Sequence, residues 1–195
     1  MMKLHVCCGE VYLIGWHNID IYIPGYSFLA SERPDLVKIN ATTLDNYYKY
    51  EYGKHPVKCC VVDEFKDVRN LDYPDESCSQ ILMVSAFEHF SLSEARKILK
   101  NFYRMLKPGG RLMFDVPDIE ACLEEMRKNR DIENLNWQMR LIYGSQKNEF
   151  SFHKWGYTRE TLLDELKRAG FSEHRIKFGP IVKHFYPMIG VTAIK

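Results

Sequence analysis

Apolar and polar positions along the chain follow two periods. Short apolar runs at residues 4–7, 80–84 and 111–116 read as strands buried in a sheet. Residues 17–23 alternate in part and stop at Pro24-Gly25, and residues 59–65 are rich in β-formers, so both read as further strands. A helical period takes over after Ser91-Leu92-Ser93-Glu94, which has the form of a capping box. Ala95, Ile98, Leu99, Phe102 and Met105 then recur on one face, and Pro108-Gly109-Gly110 ends the helix and turns the chain. Asp118 is placed to cap a helix over 119–128, residues 134–143 form another, and Thr158 caps a third that closes at Gly170. Residues 175–178 and 189–194 read as closing strands.

Strands that alternate with helices predict an α/β fold with a mainly parallel sheet and helices on its faces. The last two strands have no helix between them, which permits an antiparallel hairpin at the sheet edge. Residues 24–56 break the pattern with Pro24, Pro34 and Pro56 and with Tyr26, Tyr47, Tyr48, Tyr50 and Tyr52. They read as a partly helical excursion from one domain spanning residues 1–195, with Thr43 as the cap of a short helix. The tyrosines form a lid or acceptor wall, or else a small subsidiary core or a homodimer contact.

Composition narrows the function. The chain has 195 residues, 46% hydrophobic and 27% charged, which suits a globular domain. Lys plus Arg is 27 against 26 for Asp plus Glu, so no nucleic-acid partner is indicated. None of the six cysteines has CxxC spacing, so buried reduced thiols in a cytoplasmic protein are expected, with no metal. No long apolar segment opens the chain or spans a bilayer, so neither a signal peptide nor a membrane partner is expected.

In a parallel sheet, ligands bind beyond the carboxyl ends of the strands, so the residues there carry the chemistry. Cys7-Cys8-Gly9 follows the first strand, and a small residue there lets backbone approach a ligand. Asp20 closes the second strand, where a carboxylate suits the two hydroxyls of a ribose. Asp67-Val68 follows the third strand, and Ser85-Ala86-Phe87-Glu88-His89-Phe90 the fourth. There is no GxGxxG, and Gly9 to Asp20 is too short for a crossover helix whose N-terminus would hold a pyrophosphate, which disfavours a nicotinamide dehydrogenase.

The run LHVCCGEVYLIGWHNIDI resembles the first motif, near GCG-x5-GW-x-NVD, of a group of class I S-adenosylmethionine-dependent methyltransferases. DVRNLDYPDESCSQI, AFEHF, LKNFYRMLKPGGRLMFDVPD and HKWGYTRETLLDELKRAGF resemble later motifs of the same family, in the same order. The resemblance covers most of the chain outside about 24–56. It implies a Rossmann-like class I methyltransferase sheet, mostly parallel with an antiparallel C-terminal edge hairpin. It implies S-adenosyl-L-methionine as cofactor. Cys7, Cys8 and Gly9 would lie against its amino-acid end, Asp20 on the ribose, Asp67 and Val68 on the adenine, and Ser85 and Ala86 beside the sulfonium. The family usually has glycine where Cys7 stands, which narrows the backbone's approach to the cofactor.

Methyl transfer asks the protein for orientation and, for an oxygen nucleophile, a base. His89, His153 and Glu88 are the candidates, with Tyr157 as an orienting hydroxyl. The loop from Tyr143 to Tyr157, with Gln146, His153, Lys154 and Trp155, is placed to face the acceptor. The expected acceptor is a small molecule or a glycan sugar, the sugar on resemblance alone. The alternative is a non-catalytic domain that binds S-adenosylmethionine or S-adenosylhomocysteine as a sensor or partner protein.

Overall fold

The computed structural model describes residues 1–51 and 54–195; Tyr52 and Gly53 of the predicted excursion lie outside the described residues. In chain order the elements are β1 (Met2–Val6), β2 (Tyr12–Leu13), β3 (His17–Asp20), β4 (Ser27–Leu29), α1 (Pro34–Asn40), β5 (Ala41–Thr42), β6 (Cys60–Val62), β7 (Glu64–Phe65) and β8 (Cys78–Met83). There follow α2 (Leu92–Met105), β9 (Leu106–Pro117), α3 (Ile119–Lys128), α4 (Ile132–Tyr143), α5 (Arg159–Ala169), β10 (Ile176–Phe178) and β11 (Met188–Ile194).

Among the described residues the main sheet has seven strands in the order β10-β11-β9-β8-β1-β3-β7. β7, β3, β1, β8 and β9 run parallel, and β11 enters antiparallel between β9 and β10. This is the expected mostly parallel sheet with an antiparallel C-terminal edge.

The period of two along the strands sorts side chains onto two faces. Ile81 and Met83 of β8, Leu112, Phe114 and Val116 of β9, and Leu4 and Val6 of β1 join one buried cluster. The buried stripe of α2 (Ala95, Ile98, Leu99, Phe102, Met105) and Leu162 and Leu166 of α5 cover it. Each large apolar side chain buried this way contributes about 1.5–3 kcal/mol. The Ser91–Glu94 capping box forms as expected, and Arg96 grips the buried Glu165 through two bonds of 2.8 and 2.7 Å, tying α2 to α5.

The other face departs from the expectation of helices on both sides. Leu82, Val84 and Met113 there pack on Leu13, Tyr47, Val182 and Ile181, and none of the residues in that cluster lies in an α-helix. Further boundaries also moved. The second strand ends at Asp20 rather than running to residue 23. The expected third strand divides, β6 pairing with β4 outside the main sheet and β7 forming its edge. Thr43 makes no side-chain cap, and the chain beyond it is one 3-10 turn over Leu44–Asn46. The helix of this region is instead α1, which begins at Pro34, where a missing N–H costs nothing. Pro108 to Gly110 lie inside β9 at a register irregularity opposite Cys78 and Gln80.

The short link from β1 to β3 is held by Asn18, which is fully buried. Its Oδ1 accepts from the Leu13 N–H at 2.8 Å and from His5 Nδ1 at 2.9 Å. Its amide donates to the carbonyls of Leu13 and Trp16 and to the Asp63 carboxylate, each at 3.1 Å. His5 Nε2 in turn accepts from the Tyr47 hydroxyl at 2.9 Å. This network does for β1 and β3 what a crossover helix does elsewhere.

Asn18→Ala is expected to cost about 3 kcal/mol, because it strands several buried polar groups, each costing about 1–3 kcal/mol. Urea unfolding measures it, and a loss no larger than that of a surface substitution contradicts the role. Burial pushes the His5 imidazole down to about 4, against a hydrogen bond to the Asn18 side-chain oxygen that favours its charged form. Unfolded histidine binds its proton near pH 6.5, so the unfolded chain takes up protons first on acidification. The contribution of a neutral His5 is therefore full above about pH 6.5 and is lost as pH falls toward about 4. The stability difference between wild type and His5→Gln, followed by urea unfolding across that window, should shrink with acid; a pH-independent difference contradicts it.

Candidate active site

β1 is where strand order reverses: the chain passes from it to β3 and β7 on one side and later to β8 and β9 on the other. A cavity of about 630 Å³ opens beyond the carboxyl ends of these strands. Of the residues expected to bind cofactor, Cys7, Gly9, Asp20, Asp67, Val68, Ser85 and Ala86 all line it. Cys8 does not; it is buried, its sulfur 3.9 Å from that of Cys60, and it borders a neighbouring cavity of about 400 Å³ with Tyr47, Tyr48 and Tyr50.

Two carboxylates secure the loops at the strand ends, Asp20 lining the cavity and Asp115 buried outside its lining. Asp20 Oδ2 accepts from the Gly9 N–H at 2.9 Å and Oδ1 from its neighbour Ile21 at 2.7 Å. Burial raises its pKa, and these bonds oppose the rise. Asp115 on β9 does the same for the other strand end, accepting from the Ser85 N–H at 2.7 Å and pairing with His184 Nε2 at 2.8 Å. Both loops need such help, since Cys7 (φ 51°) and Ser85 (φ 48°) are in the left-handed region, which costs a side-chain-bearing residue on the order of 1–3 kcal/mol. That explains a preference for glycine at position 7. Burial, with Asp20 and Asp67 nearby, holds the Cys7 thiol well above its usual range, so it stays neutral.

Asp67 caps the 3-10 turn Val68–Asn70 and is gripped by Arg69, whose Nε lies 3.0 Å from both carboxylate oxygens. Arg69 holds its pKa below the usual value.

Glu88, His89 and His153 gather on the far wall of the cavity. The loop carrying His153 is fastened there: the Glu88 carbonyl accepts from the N–H groups of Lys154 and Trp155, and the Tyr143 carbonyl from that of His153. Gly144 makes this possible. At its φ of 80°, an added Cβ would sit 2.1 Å from the Ser151 carbonyl oxygen and 2.9 Å from the His153 ring. His153 Nδ1 donates to the Leu141 carbonyl at 2.8 Å and His89 Nδ1 to that of Phe152 at 3.0 Å, and the two rings meet edge to face at 4.7 Å. A carbonyl only accepts, so each Nδ1 carries the hydrogen and each Nε2 keeps a lone pair.

Burial pushes the Glu88 carboxyl up to about 8, with Asp115 adding to the rise. Burial, then His89, pushes His153 down to about 4, and burial lowers His89 as well. Tyr157 stands apart. It is buried behind Glu88, stacked on Phe87, outside the cavity wall, and its hydroxyl finds no partner among the described residues. Of the expected acceptor loop, His153 and Lys154 line the cavity, whereas Gln146 and Trp155 do not. Sequence reasoning missed Asp115, Trp137, Arg140 and Tyr186, whose positions carried no strand-end signal.

Gly144→Ala is expected to destabilise the protein by about 2 kcal/mol and to displace His153. Thermal unfolding and the His153 ring resonances in NMR check this, and an unmoved ring overturns the claim.

Comparison with known proteins agrees with this fold. The methyltransferase domain family matches residues 39–114, from the end of α1 into β9. No curated protein matches in sequence. A methyltransferase from Thermotoga maritima, described as a possible histamine N-methyltransferase, aligns over 100% of this chain and 82% of its own, at 15% identity and a TM-score of 0.51. A methyltransferase from Methanosarcina mazei aligns over 99% and 90%, at 17% identity and 0.53. PigF, solved with SAH, aligns over 100% of this chain but 56% of its own, at 17% identity and 0.54. No α-helix among the described residues is long and apolar enough to cross a membrane. The chain has the fold of the S-adenosylmethionine-dependent methyltransferases, with a methyltransferase-domain match across its middle.

Proposed function

We propose that this protein transfers the methyl group of S-adenosylmethionine to a small molecule or a glycan sugar. The observation that carries the reading is the convergence of Gly9, Asp20, Asp67, Ser85 and Ala86 on one cavity at the point where strand order reverses. The residues fit the cofactor. Beyond its own chain neighbours, no residue lies within 4 Å of where a Gly9 Cβ would stand, so the loop offers bare backbone to a ligand. Asp20 would take the ribose hydroxyls, Asp67 the adenine amino group, and the Val68 backbone the adenine ring. Cys7 to Gly9 would meet the amino-acid end, and Ser85 and Ala86 the sulfur.

The cofactor supplies a methyl group already activated on a sulfonium, for in-line displacement by the acceptor's nucleophile. The chain's own residues orient the acceptor and receive its proton. His89 and His153 suit that task through neutral rings with open Nε2 lone pairs, beside a Glu88 held protonated near neutral pH. Arg140 and Lys154 line the same cavity as Trp137 and Tyr186. Cations beside flat aromatic faces suit a ring-shaped acceptor that bears an anionic group. The six cysteines are unpaired, which supports a cytoplasmic setting.

Asp20→Ala, checked as folded by circular dichroism, should bind S-adenosylmethionine at least about tenfold more weakly in calorimetry, a loss of about 1.4 kcal/mol or more. Unchanged affinity would place the ribose elsewhere. Transfer of labelled methyl from S-adenosylmethionine into fractions of a cell extract tests the reaction itself. Tight binding with no labelled product in any fraction favours the sensor reading.

A further inference from the structure

We propose that Glu88, His89 and His153 form a binding site for one divalent transition-metal ion on the acceptor side of the cavity. A carboxylate oxygen of Glu88 and one nitrogen from each histidine lie within 4.8 Å of one another. The His153 Nε2 to Glu88 Oε1 distance is already 3.9 Å. Donors about 2.1 Å from a shared tetrahedral ion stand about 3.4 Å apart, so binding asks the three to draw together by at most about 1.4 Å.

Two independent features point to a missing partner here. Glu88 is 3% exposed, and its Oε2 has no hydrogen-bond partner among the described residues. A buried carboxyl oxygen without a partner carries a desolvation cost that an ion would remove. Secondly, both imidazoles are already set as ligands. Each gives its Nδ1 hydrogen to a backbone carbonyl, of Leu141 for His153 and of Phe152 for His89. That second bond fixes the tautomer and ring plane of a metal-binding histidine and leaves Nε2 for the ion.

The donor set selects the ion. Two imidazole nitrogens and one carboxylate suit zinc, iron, cobalt or manganese, whereas calcium and magnesium prefer oxygen alone. Three protein ligands leave positions open toward the cavity, where an acceptor hydroxyl or carboxylate oxygen would complete the shell. That last role rests on the methyl-transfer reading; the metal site does not. With the ion present, the cluster orients the acceptor through a metal–oxygen bond, an acceptor hydroxyl on the ion would lose its proton to water, and the two histidines act as ligands in place of the proton-accepting role they suit in the metal-free protein.

The test uses the full chain, stripped with a chelator and titrated with Zn²⁺ by calorimetry and with Co²⁺ by visible absorption. One equivalent should bind saturably, with the absorption of a nitrogen- and oxygen-ligated cobalt. His89→Ala and His153→Ala should each weaken binding by about tenfold or more. His89→Gln and His153→Gln, which keep most of the side-chain volume, take the place of an alanine variant that fails to fold. Cys60→Ser should leave binding unchanged, since among the described residues Cys8, Asp20 and Cys60 are the other group with ligand spacing. No saturable binding, binding indifferent to His89→Ala, or binding abolished by Cys60→Ser overturns the proposal. Affinity for S-adenosylhomocysteine, measured on the same metal-free protein, reports separately on the cofactor reading.

Discussion

The side-chain amide of Asn18 is the constraint on which the site depends. β1 and β3 must lie side by side and parallel, yet the link between them has no room for a helix. A parallel pair without a packed crossover leaves unpaired polar groups beside the sheet and a loop with nothing to hold its course. Asn18 answers both needs, binding backbone groups of Leu13 and Trp16 together with His5 and Asp63. Once that link is fixed, Asp20 stands two residues on, within 2.9 Å of the Gly9 N–H. The proposed ribose site thus inherits its geometry from a buried amide that faces no ligand.

The same device recurs across the switch point. Cys7 and Ser85 close adjacent strands, and both adopt a left-handed backbone that neither residue type prefers. In each case a carboxylate from the next strand outward secures the loop. Asp20 on β3 accepts from Gly9, and Asp115 on β9 accepts from Ser85. Strain at two neighbouring strand ends lifts backbone toward the cavity, and two hydrogen-bonded carboxylates offset its cost. Asp115 was invisible to strand-end reasoning because it lies within β9, one residue from Val116, and its register opposite β8 is a property of the sheet.

What was legible in the sequence follows the range of the interactions involved. Capping boxes and apolar periods are local, so α2, α3 and α5 appear where Ser91, Asp118 and Thr158 place them. The residues that line the cavity at the strand ends were legible because chain order determines which strand ends meet at the switch point. The covering of the second face was not legible. Tyr47 and Val182 reach it from segments far apart in the chain, and neither carries a periodic signal. The division of the third strand was hidden for a related reason. Residues 59–65 read as uniformly β-forming, but Asp63 N–H bonds to the Asn18 carbonyl and its carboxylate reaches back to the Asn18 N–H, so the strand breaks where it meets the hub.

The chain between α4 and α5 also explains why a carboxyl can be buried in the turn after β8. Where helices cover the strand ends, a glutamate after β8 would turn to solvent or into a helix cap. Here the chain from α4 to α5 is laid across Glu88, with the Glu88 carbonyl receiving both Lys154 and Trp155. Removing that loop would expose the carboxyl to water and relieve its desolvation, so the loop's closure works against Glu88 and for the hydrogen bonds of its backbone. The desolvation accepted in bringing His153 over Glu88, where Gly144 lets the loop turn, is the cost that the proposed metal ion would offset. Packing alone would be better served by an apolar residue at position 88, beside Phe87 and Tyr157.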